Sequence, residues 1–203
     1  MKSPKRFHKQ LGAVLLVSIL LLNGSSAAVQ QSPHKWGEAV GGLQMTIYLD
    51  QAASVPSQSP KFRVELRNAG ENDLVLNLGI MLANGKRQYA NAVSLTLIDT
   101  HGKSRRLDLL GPAVIAGRSD PFVLPIPVGG TFSIPVELSK YAAVATREFD
   151  YKPPRGTYSI EAQFAGNGVT QLEANLDVKG IALMPYWNGT VTSNMLRFEI
   201  PNS

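Results

Sequence analysis

The sequence predicts an all-β fold, an antiparallel β-sandwich with elaborated loops, and three observations carry that prediction. Short runs of alternating apolar and polar residues recur at regular spacing. Gly, Pro, Asn and Asp punctuate the gaps, and almost no stretch shows a helical period. The clearest unit is Phe62 to Gly79, FRVELRNAGENDLVLNLG. Phe62, Val64 and Leu66 alternate with Arg63, Glu65 and Arg67, as in a strand with one face in a core and one in water. Asn68-Ala69-Gly70 breaks the run with residues that tolerate turn geometry, and Glu71-Asn72-Asp73 keeps the connection wet. Leu74, Leu76 and Leu78 then resume the apolar face. We read two strands joined by a tight polar turn, a unit that needs other strands to cover its apolar side.

Ahead of this unit, residues 1–28 read as a secretory signal peptide. Lys2, Lys5, Arg6 and Lys9 form a positive n-region, Leu11 to Leu22 is an apolar stretch of 12 residues, and Ser26-Ala27-Ala28 suits cleavage after Ala28. That apolar stretch is too short to span a bilayer comfortably, so no membrane anchor is expected after cleavage. With no cysteine in the chain, a lipoprotein anchor is excluded and no disulfide supports the fold. The implied address is secreted or periplasmic. The net charge of +5, less the four basic residues of the signal peptide, leaves +1 on residues 29–203. A nearly neutral chain lacks the basic field of a nucleic-acid binder, and that class is set aside. The roughly 175 residues that follow the cut are enough for one well-buried core.

Residues 29–35 form a polar, flexible leader, and Trp36 opens a single β-sandwich domain expected over 36–203. Leu43, Met45, Ile47 and Leu49 mark the first strand, and Ala52 to Pro60 a loop. After Gly79, Asn84-Gly85 is the strongest short hairpin signal, because both residues accept positive φ. Val93, Leu95 and Leu97 mark a strand that turns at Asp99-Thr100-His101-Gly102 into Ser104 to Leu109. Phe122 to Ile126 reads as extended, although Pro121, Pro125 and Pro127 confine it to a sheet edge or a non-strand connection. Phe132, Ile134, Val136 and Leu138 mark a further strand, which carries Pro135. Ser139 to Phe149 is the one stretch with a helical turn's spacing, through Tyr141, Val144 and Ala145. Tyr158, Ile160, Ala162 and Phe164 then alternate with polar residues. Gln171 to Val178 suggests another strand, and TVTSNMLRFEI a last one with Leu196, Phe198 and Ile200 on one face.

The order of these elements resembles secreted bacterial immunoglobulin-like and fibronectin-type β-sandwiches. The residues that carry the resemblance are the strand end Asn68-Ala69-Gly70, the Pro-x-Gly-x-Tyr of Pro154 to Tyr158, and Ser193-Asn194 in the closing strand. Tyr158, just after a proline-glycine corner, resembles the tyrosine corner of such folds, whose hydroxyl reaches back to a nearby backbone group; an ordinary cross-strand tyrosine is the alternative. Over Phe62 to Tyr158 the chain also has a weak similarity to the bacterial intracellular proteinase inhibitor family. That similarity rests on Asn68 to Gly70, Asn84 to Tyr89, Asp99 to Lys103 and Pro154 to Tyr158, mostly turn and strand residues. It implies fold more than activity, and no inhibitory residue is carried over.

The chemistry-bearing residues are sparse. His8 falls in the signal peptide and His34 in the leader, which leaves His101, in a turn, as the histidine inside the fold. No G-x-S-x-G signature accompanies it, and one histidine without cysteine assembles no His/Cys metal site. The carboxylates from Asp99 to Asp177 are dispersed and form no calcium-loop pattern. No catalytic residue, cofactor or metal is therefore expected. Two surface candidates remain. Tyr186-Trp187, in a turn-rich region, reads either as an exposed platform that stacks on sugars or anchors a protein, or as a buried plug at the end of the sheets. Lys86 and Arg87, at the tip of the Asn84 to Tyr89 loop, read either as a contact loop or as a charged, solubilising hairpin. The resulting expectation is a non-catalytic binding or structural module whose loops contact another envelope or extracellular protein. The alternative is a carbohydrate-binding module that uses the aromatic pair on a glycan.

Overall fold

A computed structural model of the protein describes residues 35–50, 60–82, 85–111, 115, 117–149, 151–168 and 186–200. The signal peptide, its cleavage site, the leader up to His34, most of the Ala52 to Pro60 loop and the expected Gln171 to Val178 strand lie outside the described residues. The described residues form antiparallel β-sheets, with no α-helix among them. The strands are β1 (Leu43–Leu49), β2 (Lys61–Asn68), β3 (Leu74–Leu82), β4 (Arg87–Tyr89), β5 (Val93–Asp99) and β6 (Ser104–Leu109). They continue with β7 (Ser119–Ile126), β8 (Thr131–Glu137), β9 (Tyr141–Ala142), β10 (Gly156–Asn167), β11 (Asn188–Thr192) and β12 (Leu196–Ile200).

Three sheets result. The first has the order β1-β2-β8, the second β4-β3-β7, and the third β11-β10-β5-β6-β9, with β12 also paired to β10. The alternation read from the sequence sets which face is buried. Phe62, Val64 and Leu66 of β2 are buried, as are Tyr158, Ile160, Ala162 and Phe164 of β10, while the residues between them are partly exposed. All three sheets contribute to one apolar cluster. Phe62 of the first sheet meets Phe198 of the third edge-to-face, with ring centroids 4.8 Å apart. Each fully buried side chain of this size contributes about 1.5–3 kcal/mol over leaving it in water.

The unit Phe62 to Gly79 differs from its sequence reading in one respect. Both strands form, yet they do not lie side by side: β2 pairs with β1 and β8, whereas β3 pairs with β4 and β7. The polar turn is a crossing between two sheets. The physical reason is Asn68, which is fully buried. Its amide group donates to the carbonyls of Asn72 and Ile126, and its Oδ1 accepts from the Gly70 amide. Its backbone exchanges bonds with Gly129 and Gly130. The crossing from β2 to β3 and the crossing from β7 to β8 are thus tied together through one side chain, and their backbone groups are satisfied without a hairpin ladder.

Proline placement follows the ladder. β7, with Pro121 and Pro125, and β8, with Pro135, are both edge strands, where a missing N–H is tolerated. The Asn84-Gly85 signal leads to an antiparallel pair of β3 and β4, with Gly85 at φ 82°, although Asn84 itself is outside the described residues. Ser139 to Phe149 makes no helix of the expected kind. Tyr141 lies in β9, flanked by 3-10 turns at Leu138–Lys140 and Val144–Thr146, and Val144 is exposed. A helical face would have buried both residues together. The expected closing strand is divided into β11 and β12. At the break, the buried Ser193 keeps β10 paired: its amide donates to the Ala162 carbonyl and its Oγ accepts from the Ala162 amide.

Candidate functional site

The aromatic pair is placed first by its burial. Trp187 is only 5% exposed. Its indole N–H donates to the Val40 carbonyl at 3.1 Å, and its ring stacks on Phe164 with centroids 5.5 Å apart. Gly166 permits this packing, because a Cβ there would sit 2.6 Å from the indole ring. Tyr186 is partly exposed, forms a bridge with Val75, and has its phenol pushed above the ordinary value by burial. Of the two readings of the pair, the buried plug holds at Trp187, which has no open face for a sugar ring. It is a core residue because its N–H finds a partner inside, which removes the penalty of burying it. The glycan reading loses its aromatic platform here.

Lys86 and Arg87 are both exposed, at the start of β4. Arg87 forms no ion pair among the described residues, and it stands on the rim of a hollow of about 610 Å³. This volume lies in the range of ligand pockets. The floor is apolar and is built from all three sheets: Phe122 of β7, Phe132 and Ile134 of β8, Leu109 of β6 and Tyr141 of β9. Phe122 and Phe132 meet edge-to-face at 6.2 Å. Among the lining residues Lys140 also donates to Glu137 at 2.9 Å, and this hydrogen bond holds the Glu137 carboxyl below its ordinary value.

A second hollow of about 260 Å³ shares Leu110 and Tyr141 with the first and extends it toward Phe149, Tyr151, Lys152 and Ile200. Leu110 is 37% and Phe149 55% exposed, so the apolar lining reaches the surface. Burial pushes the Tyr141 phenol well above its ordinary value. These two adjoining hollows, together called the trough, share the wall residues Leu110 and Tyr141 and are lined in part by β4, β8 and β9. β4, β8 and β9 each pair on one side only among the described residues.

The other residues weighed for chemistry take structural positions. His101 is exposed in the β5–β6 turn, where Asp99 Oδ1 accepts from the amides of His101 and Lys103 at 2.9 Å each. Glu148 pairs with Arg105, and the hydrogen bond from that guanidinium holds its carboxyl below the ordinary value. Asp108 pairs with Arg106, and Asp120 with Arg118.

Of the contact residues proposed from the sequence, Arg87 lines the trough, while its neighbour Lys86 is exposed but not among the lining residues. Phe122, Phe132, Tyr141, Leu110 and Phe149 were not singled out. The usable signal was proline in strands: Pro135 marks the β8 edge beside the trough, and Pro121 and Pro125 mark β7, which supplies Phe122 to its floor. Neither a protein-family model nor a curated protein matches this sequence.

Proposed function

We infer that this protein is a secreted, non-catalytic binding module, an immunoglobulin-like β-sandwich that holds another envelope or extracellular protein in the trough between β4, β8 and β9. The observation that carries this reading is the apolar lining, which opens to solvent at Leu110 and Phe149 and lies beside strand edges that meet no further strand among the described residues. A contiguous apolar opening with a polar rim is the usual mark of an interaction site on a soluble domain. The sandwich description is supported by Tyr158, whose hydroxyl donates to the Pro154 carbonyl at 2.9 Å, the bond expected of a tyrosine corner. Secretion is supported by the pattern of residues 1–28.

The test is a quantitative capture from the envelope and secreted fractions of the source organism, with wild type and the double variant Leu110→Glu/Phe149→Glu as baits. The reading expects a stoichiometric protein retained by wild type and lost by the variant. Equal retention by both baits, or retention of polysaccharide alone, would overturn it.

A further inference from the structure

Resting on the reading that the trough is the binding face, we propose that its occupant is an extended peptide segment of the partner. This segment adds as a strand to the β8 edge, which no strand covers among the described residues, sets an acidic side chain against Arg87 and places apolar side chains in the hollow. The direction of the β8 backbone groups follows from its proline. Pro135 lies opposite Arg63 and has no N–H, so the two form a non-hydrogen-bonded pair of the antiparallel ladder. Two further bonds agree with this phase. The Asn68 amide donates to the Gly130 carbonyl on the β8 side, and the Asp50 amide donates to the Lys61 carbonyl on the β1 side. Even-numbered β2 residues therefore bond β8, and odd-numbered ones bond β1.

Alternation then turns the N–H and C=O of Ser133, the C=O of Pro135 and the N–H of Glu137 away from β2. These residues line the hollow beside Phe122 and Phe132. Among the described residues no strand pairs with this edge. A row of backbone donors and acceptors beside an apolar hollow matches a polypeptide. Such a chain brings carbonyls and amides at the strand repeat and side chains that alternate into the floor. An acyl chain would fill the same volume and leave the amides without partners, at a cost. Glu137 and Lys140 neutralise each other, while Arg87 is left with no counter-ion among the described residues. Pro135 removes one donor from the edge yet keeps its carbonyl, so it weakens the edge as a general template without closing it.

The experiment selects peptides from a random octapeptide display library on the purified wild-type protein. The selected peptides are then resynthesised and titrated against variants. Ser133→Pro deletes the outward amide at a position of the same phase as Pro135, and Ser133→Ala keeps that amide. The proposal expects enriched peptides with alternating apolar residues and at least one acid. Their affinity should fall about tenfold with Ser133→Pro, the equivalent of one hydrogen bond, and stay within about twofold with Ser133→Ala. Arg87→Glu should weaken the same peptides several-fold.

N-methylation of alternate peptide amides gives a matching loss without altering the protein, which keeps the test valid if Ser133→Pro does not fold. Peptides lost with Leu110→Glu/Phe149→Glu but indifferent to Ser133→Pro and to N-methylation would overturn strand addition and leave the trough as the binding face. Peptides indifferent to all of these, or no enrichment, would overturn both. Wild type that dimerises, with Ser133→Pro restoring the monomer, would make the occupant a second copy and overturn the partner peptide.

Discussion

The two edges of the β1-β2-β8 sheet are treated in opposite ways. At the β1 edge the side chain of Asn194 takes the place of a neighbouring strand. Its Oδ1 accepts from the Ile47 amide at 2.9 Å and its Nδ2 donates to the Ile47 carbonyl at 3.2 Å. The same Oδ1 accepts from the Thr46 hydroxyl, and the Gly37 amide donates to Met45 one residue away. Trp187 closes the corner by donating to Val40. At the β8 edge there is no such substitute among the described residues, only Pro135 and the trough. An unpaired edge invites association, and proteins ordinarily blunt it. Here one edge is sealed by a dedicated side chain and the other is merely weakened. The contrast is what directs attention to β8.

The largest effect that would break the comparison is on the sealed side. Trp187→Ala empties a site that is only 5% exposed, and it should destabilise the protein by about 3–5 kcal/mol in urea unfolding. Next, Asn194→Ala should cost about 2–3 kcal/mol, because Ile47 and Thr46 lose three bonds together. It should also produce concentration-dependent association, seen by light scattering, since it frees the β1 edge. A variant that stays monomeric and as stable as wild type would show that the seal is dispensable. Ser133→Pro, on the open edge, should cost about 1 kcal/mol in the same assay, because its amide meets no strand among the described residues but its hydroxyl bonds the Tyr48 phenol.

The trough has its own pH signature. The Tyr141 phenol is pushed above its ordinary 10.0 by burial. Its contribution to stability is therefore fully present below that ordinary value and lost as pH rises through the folded value. Phenolate absorbance should show one tyrosine ionising late, with the alkaline unfolding transition. Tyr141→Phe should remove that late step and reduce the alkaline loss of stability. The smallest effect concerns the two tryptophans. With Trp36→Phe in place, iodide should barely quench the remaining Trp187 emission and added glycans should not shift it. Strong quenching would return the aromatic pair to the surface.

Much of the fold was legible because β-strands bury alternate residues. The strands at Leu43, Phe62, Val93, Phe132 and Tyr158 could be read from their own residues, as could the turn at Asp99. The reading stopped where a residue's role depends on what lies across from it. Asn68 reads as a turn residue, yet it joins the β2–β3 and β7–β8 crossings, and no local pattern distinguishes a turn asparagine from a buried one. Tyr141 and Val144 share helical spacing, but Tyr141 is held by pairing with Leu109 and Val144 is left outside. Ser193-Asn194 looked like part of a strand, and its side chains instead do the pairing.

The candidate site shows the same division. Lys86 and Arg87 were visible as charged loop residues. The apolar floor beneath Arg87 was not visible, because Phe122, Phe132 and Tyr141 are separated along the chain and each looks like an ordinary core residue. Local alternation and turn chemistry act between near neighbours, so the sequence by itself determined the all-β class and most strand positions. Strand order, the sealing of one edge and the opening of the other depend on contacts between distant segments. These were decided only by tertiary packing, in which each backbone group and apolar face must find a partner across the core or remain open to solvent.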